Sequence, residues 1–222
     1  MHKFIEIYAI AAKRKGGKEA LEEVLDKPKS ASQLIALSDH RWLSCMAKCV
    51  FQAGFNWKVV DNMWLGFEEV FQGFDIGHCA MLNDDDIARL VSDKRIVRHG
   101  TKIRSVQQNA VFASELAKEY GGVGSAIANW PASDYVGLLS MLKKRGSRLG
   151  GNTGPYFLRF MGVDSFILSR DVVARLIAEG IIDGAPTSQK SLHAVQQAFN
   201  AWREESKRSF TEISRVLAMS TG

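Results

Sequence analysis

Apolar residues along this chain recur three and four positions apart rather than at every second position. In SDHRWLSCMAKCVFQAG, Trp42, Cys45, Met46, Cys49, Val50 and Ala53 share one helical face, with Ser38 as N-cap and Gly54 as stop. NWKVVDNMWLGFEEVF continues the period through Val59, Val60, Met63, Trp64, Phe67, Val70 and Phe71. In NDDDIARLVSD, Asn83 caps a helix whose first turn carries acids, where the helix dipole favours negative charge. His99 to Tyr120 reads as a long helix with Ile103, Val106, Asn109, Ala110, Ala113 and Leu116 on one side. Helices are also predicted over 133–145, 155–162, 170–179 and 188–206, and a last one from Ser209, with Glu212 completing a capping box. There is almost no strand signal, so the fold class is all-α. The Gly-rich YGGVGSAIANWP near 120–131 interrupts the pattern and reads as a connection between two helical lobes. No long linker or repeat divides the rest, and residues 1–222 are read as a single domain.

Composition narrows the setting. A chain of 222 residues with 46% hydrophobic and 24% charged content is ordinary for a globular protein and long enough to bury a core. No apolar run reaches the roughly 20 residues that cross a bilayer, so no membrane is expected as a partner. The N-terminal MHKFIEIYAIAAKRKGG lacks the pattern of a secretory signal. Cys45, Cys49 and Cys79 are too few for a disulfide framework, which favours a reducing compartment, the cytoplasm. Net charge is +5, with bases gathered at Lys94, Arg95, Arg98, Lys102 and Arg104 and again at Lys143 to Arg148. Such clusters suit a polyanion, or serve as solvated helix faces.

The second cluster leads into candidate chemistry. LKKRGSRLGGNTGPYF runs from a basic helix end (Lys143, Lys144, Arg145, Arg148) through a turn holding Gly150, Gly151, Thr153 and Gly154 into a new helix near Pro155. Glycines admit positive φ and let backbone N–H groups approach a ligand, and the following helix start presents free N–H groups to an anion. This is the logic of a helix–hairpin–helix clamp on a DNA backbone, with the hairpin at about 146–155; a ligand-free corner between two helices has the same pattern. Cys45 and Cys49, four apart, read as half a metal site or as two small buried hydrophobes. Trp57 and Trp64, seven apart, read by periodicity alone as core. His99 reads equally as a phosphate contact and as a cap of the long helix.

Taken in order, CVFQAGFNWKVVDNMWLGFEEVFQGFD, LNDDDIARLVSDKRIVRHGTKIRSVQQNA and LKKRGSRLGGNTGPYFLRFMG resemble the bacterial 3-methyladenine DNA glycosylase I family, over roughly residues 42 to 163. FQAGFNW is similar to that family's Q-A-G-Leu-Ser-Trp turn, and IVRHGTKI…NA to its Ile-Arg-His…Lys-Ile…Asn-Ala helix. The resemblance implies a two-lobed helical protein with duplex DNA in its cleft, one damaged nucleotide flipped into an aromatic pocket, and hydrolysis of its N-glycosidic bond without a cofactor. It implies that Trp57 stacks on the base, that Gln52 belongs to the pocket, and that Phe55 wedges into the duplex. The base implied is a cationic alkylated purine of the 3-methyladenine type, which an aromatic face attracts.

The departures from the family are as informative. The family's pocket glutamate falls on Cys49, and the family's zinc ligands have no counterparts at either end, so no metal is expected. Tyr8 or Trp42 is expected to supply a second aromatic wall. DSFILSRDVVARL resembles the place where other helix–hairpin–helix glycosylases carry an essential Asp before a V-x-R helix start, which makes Asp171 the candidate catalytic carboxylate; Ser169 and Asp171 are also what a helix cap and first turn require. Glu6 and Asp39 are weaker carboxylate candidates. The alternative function is a non-catalytic helix–hairpin–helix protein that binds damaged or distorted DNA. No obligate protein partner is evident.

Overall fold

The computed structural model describes residues 1–221 and is all-α, with no strand among them. No helix is long and apolar enough to cross a membrane. The described chain forms two compact units, one of Met1–Lys29, Pro131–Gly137 and residues 162–221, the other of Ser30–Trp130 and Leu138–Met161.

The first unit is built from the helices Phe4–Lys15, Lys18–Glu22, Arg170–Ala178, Gln189–Ser206 and Phe210–Met219. Phe166 stacks on Phe199 at 4.2 Å between ring centroids, and Phe210 and Trp202 meet Phe199 edge-on. The predicted N-terminus of the last helix forms as expected: the Ser209 hydroxyl accepts from Glu212 N, and Ser209 N donates to the Glu212 carboxylate. Near the amino end, the Tyr8 hydroxyl donates to Glu22 at 2.5 Å while the Arg208 guanidinium lies 4.9 Å from the Tyr8 ring centroid.

The second unit is organised around the helix Asp39–Gln52, which packs on Gly100–Tyr120 and on Thr153–Met161. Its buried face carries Trp42, Leu43, Met46, Ala47, Val50 and Phe51, largely as the sequence period requires. The long helix Gly100–Tyr120 buries Ile103, Val106, Asn109, Ala110, Ala113 and Leu116 and stops at Gly121 in the left-handed conformation.

Two expectations change. The predicted helix after Asn56 is broken at Met63 into Trp57–Asn62 and Trp64–Val70, followed by a 3₁₀ turn at Gln72–Phe74. A three-point anchor accounts for the break. Glu68 accepts from the Arg41 guanidinium at 2.8 and 3.0 Å, from Ser44 Oγ at 2.8 Å and from Trp64 Nε1 at 3.0 Å, while Arg41 also donates to Gly73 O at 2.8 Å. With the turn pinned there, Trp64 stacks on Phe67 and Phe74. The Gly-rich stretch is not a bare connection either. It forms the helix Val123–Ala128, whose first N–H, from Val123, donates to Asp39. A Cβ on Gly124 would stand 2.5 Å from Leu34 O, so only glycine lets the two backbones meet.

Burial alone would raise the Glu68 carboxyl, but the hydrogen bonds from Arg41, Ser44 and Trp64 outweigh it and hold the group below the usual glutamate range. A depressed folded-state pKa contributes stability above the unfolded value that is lost as pH falls through the folded one. Glu68→Gln is therefore expected to lower stability at pH 7 by about 1–3 kcal/mol. Urea unfolding at pH 7 and on acidification checks this: the gap between the two proteins should narrow as the wild-type carboxylate protonates.

Candidate base-binding cavity and hairpin

The stretch FQAGFNW makes one wall of a cavity. Gln52 ends the helix Asp39–Gln52, Ala53 is extended, Gly54 turns with φ +70°, and Asn56 caps the next helix by accepting from Lys58 N at 3.0 Å. Trp57 is thereby the first residue of a new helix and is 43% exposed. Lys102 holds the turn: its buried ammonium donates to Phe51 O at 3.1 Å and Ala53 O at 2.7 Å, taking up carbonyls left open at the helix end, and lies 5.7 Å from the Phe55 ring centroid. Burial pushes the Lys102 ammonium below the usual lysine range, and Arg148 adds to the shift. Phe55 itself is 44% exposed.

The opposite wall is the helix Thr153–Met161. Trp57 meets Tyr156 edge-on at 5.5 Å and Phe160 at 6.0 Å, and these rings with Cys49, Gln52 and Thr153 enclose a cavity of about 310 Å³. That volume suits a nucleobase. The Gln52 amide is fixed: Nε2 donates to Asp61 at 3.1 Å, and Asp61 also pairs with Lys48 at 2.9 Å. Gln52 Oε1 is buried and has no hydrogen-bond partner among the described residues. A hydrogen bond with Cys45 and burial push the Cys49 thiol far above the ordinary cysteine range, so it is neutral at physiological pH.

The hairpin joins Tyr135–Arg145 to Thr153–Met161. Asn109 clamps it by accepting from Ser147 N at 2.7 Å and donating to Ser147 O at 3.0 Å. Arg148 and Gly151 adopt φ near +60°, and a Cβ on Gly154 would stand 2.6 Å from Leu149 O. Lys143, Lys144 and Arg148 are exposed beside this turn, as are Gly151 and Asn152.

Several expected residues lie elsewhere. Trp42 is fully buried, edge-on to Phe157 at 5.8 Å, and Tyr8 is held by Glu22 and Arg208 in the first unit; neither lines the cavity. The second aromatic wall is Tyr156 and Phe160, which the sequence carries in PYFLRF at one helical turn's spacing. Arg145 is turned inward: its guanidinium pairs with Glu119 at 2.5 Å and Glu115 at 3.2 Å, over the Phe112 ring, so its charge is taken up within the protein. Asp171 is exposed in the first turn of Arg170–Ala178, where Ser169 Oγ accepts from Val172 N, the arrangement of an ordinary cap. His99 occupies the N-cap position of the long helix. Among the described residues no three His, Cys, Asp or Glu side chains gather as metal ligands.

A helical hairpin with basic flanks stands beside an aromatic, base-sized cavity, and the fold is shared with helix–hairpin–helix DNA glycosylases of known structure. Residues 36–138 match the methyladenine glycosylase family model. It is similar to a Glu-to-Gln variant of 3-methyladenine DNA glycosylase I from Staphylococcus aureus, at 19% identity over 65% of this chain and 85% of that chain, with a TM-score of 0.53. A second structure of the Staphylococcus aureus enzyme, describing recognition of 3-methyladenine, is 20% identical over 64% of this chain and 82% of that one, with a TM-score of 0.52. The 8-oxoguanine glycosylase/lyase of Methanocaldococcus jannaschii in complex with DNA is 14% identical, covers 96% of this chain and 95% of its own, and gives a TM-score of 0.50. No curated protein matches the chain.

Because Asn109 satisfies both backbone groups of Ser147, Asn109→Ala should free the hairpin and cost about 1–3 kcal/mol. Amide exchange at Ser147 should accelerate far more than at the core of Gly100–Tyr120; equal protection of Ser147 in both proteins would remove the clamp.

Proposed function

We propose that this chain is a monofunctional DNA glycosylase that takes a flipped, modified base into the Trp57 cavity and hydrolyses its N-glycosidic bond. The observation that carries the reading is the half-exposed Trp57, set against Tyr156 and Phe160 on the helix that leaves the hairpin. One element thus brings together a base-stacking wall and a backbone-binding turn. Lys143, Lys144 and Arg148, with the N–H groups of the hairpin and of the first turn of Thr153–Met161, supply contacts to phosphates. Phe55, exposed beside the cavity turn, is placed to fill the gap a flipped base leaves in the duplex. The partner is double-stranded DNA with a damaged base, and the 3-methyladenine type is the class that the match of residues 36–138 to the methyladenine glycosylase family model puts first. Asp171 is the carboxylate to test for catalysis.

A second reading, binding of damaged DNA without bond cleavage, is favoured by one observation: among the described residues no carboxylate lines the cavity. Release of free base separates the two. Chromatography of base released from damaged duplexes is expected to show product with wild type. Trp57→Ala should lose about 1–3 kcal/mol of lesion recognition with little loss on undamaged duplex. Asp171→Asn should slow release if that group acts in chemistry, and should leave it unchanged if it only caps. Binding without any release would establish the second reading. Lys143→Ala combined with Arg148→Ala should weaken binding to all duplexes and flatten the salt dependence by about two units; an unchanged slope would show that the hairpin is not a clamp.

A further inference from the structure

On the Asp39–Gln52 side of the cavity the polar groups are already committed. Gln52 Nε2 donates to Asp61, and Gln52 Oε1 is buried away from the space, so that amide offers a ligand nothing. Ala53 O accepts from Lys102. The Cys49 thiol is a weak donor, and only 4% of the residue is exposed. The opposite wall differs. Asn152, Tyr156 and Phe160 line the cavity at four-residue spacing and so share one face of the helix that leaves the hairpin. That face passes from polar at the hairpin end to apolar at Phe160, and Tyr156 stands between them. Tyr156 is half-buried, and its hydroxyl is open and has no hydrogen-bond partner among the described residues. A tyrosine placed this way normally finds a partner for its O–H.

The rings fix what that hydroxyl can meet. Tyr156 stands at 88° to Trp57, with 5.5 Å between centroids. A base lying flat on Trp57 therefore presents its edge to Tyr156, while the Trp57 N–H, in the plane of its own ring, points past such a base. From this arrangement we infer that Tyr156 is a specificity-determining residue of the cavity, its hydroxyl hydrogen-bonding to the polar edge of the base that Trp57 stacks. A phenol both donates and accepts, so it accepts from an exocyclic amino group or donates to a ring nitrogen. Reading of the base then falls to the helix that leaves the hairpin rather than to Asp39–Gln52. The inference deepens the glycosylase reading and rests on it for its biological meaning.

Calorimetric titration of the intact chain with two ligands tests it: 3-methyladenine, and 1-methylindole, a planar bicycle without a polar edge. Tyr156→Phe is expected to weaken 3-methyladenine about three- to tenfold, the span of one neutral hydrogen bond. It should bind 1-methylindole no more weakly than wild type and keep the wild-type urea midpoint, because the hydroxyl has no partner within the protein. Tyr156→Ala should weaken both ligands, since the ring is lost as well. Equal weakening of both ligands by Tyr156→Phe, or no weakening of 3-methyladenine, overturns the assignment. So does a lowered urea midpoint in that variant, which would reveal a structural partner, and so does failure of wild type to bind 3-methyladenine at millimolar concentration. Release of free base from methylated duplexes reads the enzyme separately: no release by wild type sinks the glycosylase reading, while the difference between the two ligands still decides the role of Tyr156.

Discussion

The hydrogen bonds from Lys102 to the carbonyls of Phe51 and Ala53 are the constraint on which the cavity depends. A helix end must find partners for its last carbonyls, and a buried end cannot use water. By supplying an ammonium there, the long helix stops Asp39–Gln52 at one residue and sends the chain through Gly54 into the next helix. Trp57, Gln52 and Phe55 all take their directions from that stop. A buried charge is costly, and burial lowers the Lys102 pKa accordingly. The cost falls on the element that also holds the hairpin, because Asn109, two turns along the same helix, clamps Ser147. One helix therefore positions both the turn that carries Trp57 and the hairpin with its exposed bases.

Much of this was legible in the sequence, because local rules decided it. The caps at Asn83 and Ser209, the stop at Gly121 and the buried face of Gly100–Tyr120 follow from side chains that act within one or two turns. The order of the motifs pointed to the family whose model matches residues 36–138, and FQAGFNW pointed to Trp57, which lines the cavity. What remained hidden was decided across the fold. The break at Met63 depends on Glu68 gathering Arg41, Ser44 and Trp64 from separated positions. The true aromatic partners of Trp57 sit about a hundred residues away on the hairpin helix, and nothing in PYFLRF alone distinguishes Tyr156 and Phe160 from a core stripe. Arg145 reads as one base of a cluster, yet Glu115 and Glu119 take it inward from the face of another helix. Tyr8 failed as a pocket wall for the same reason, since Glu22 and Arg208 satisfy it within its own unit.

The replacement of a carboxylate by Cys49 also changes how the protein would fare among electrophiles. Alkylating agents react with thiolates, and a cysteine lining a cavity would ordinarily be a point of inactivation. Here the neighbouring Cys45 and burial keep Cys49 in its protonated form, and only 4% of the residue is open to solvent. The sulfur is consequently a poor nucleophile in a chamber built of soft, polarisable surfaces. A cavity so lined would not be consumed by such electrophiles through this thiol.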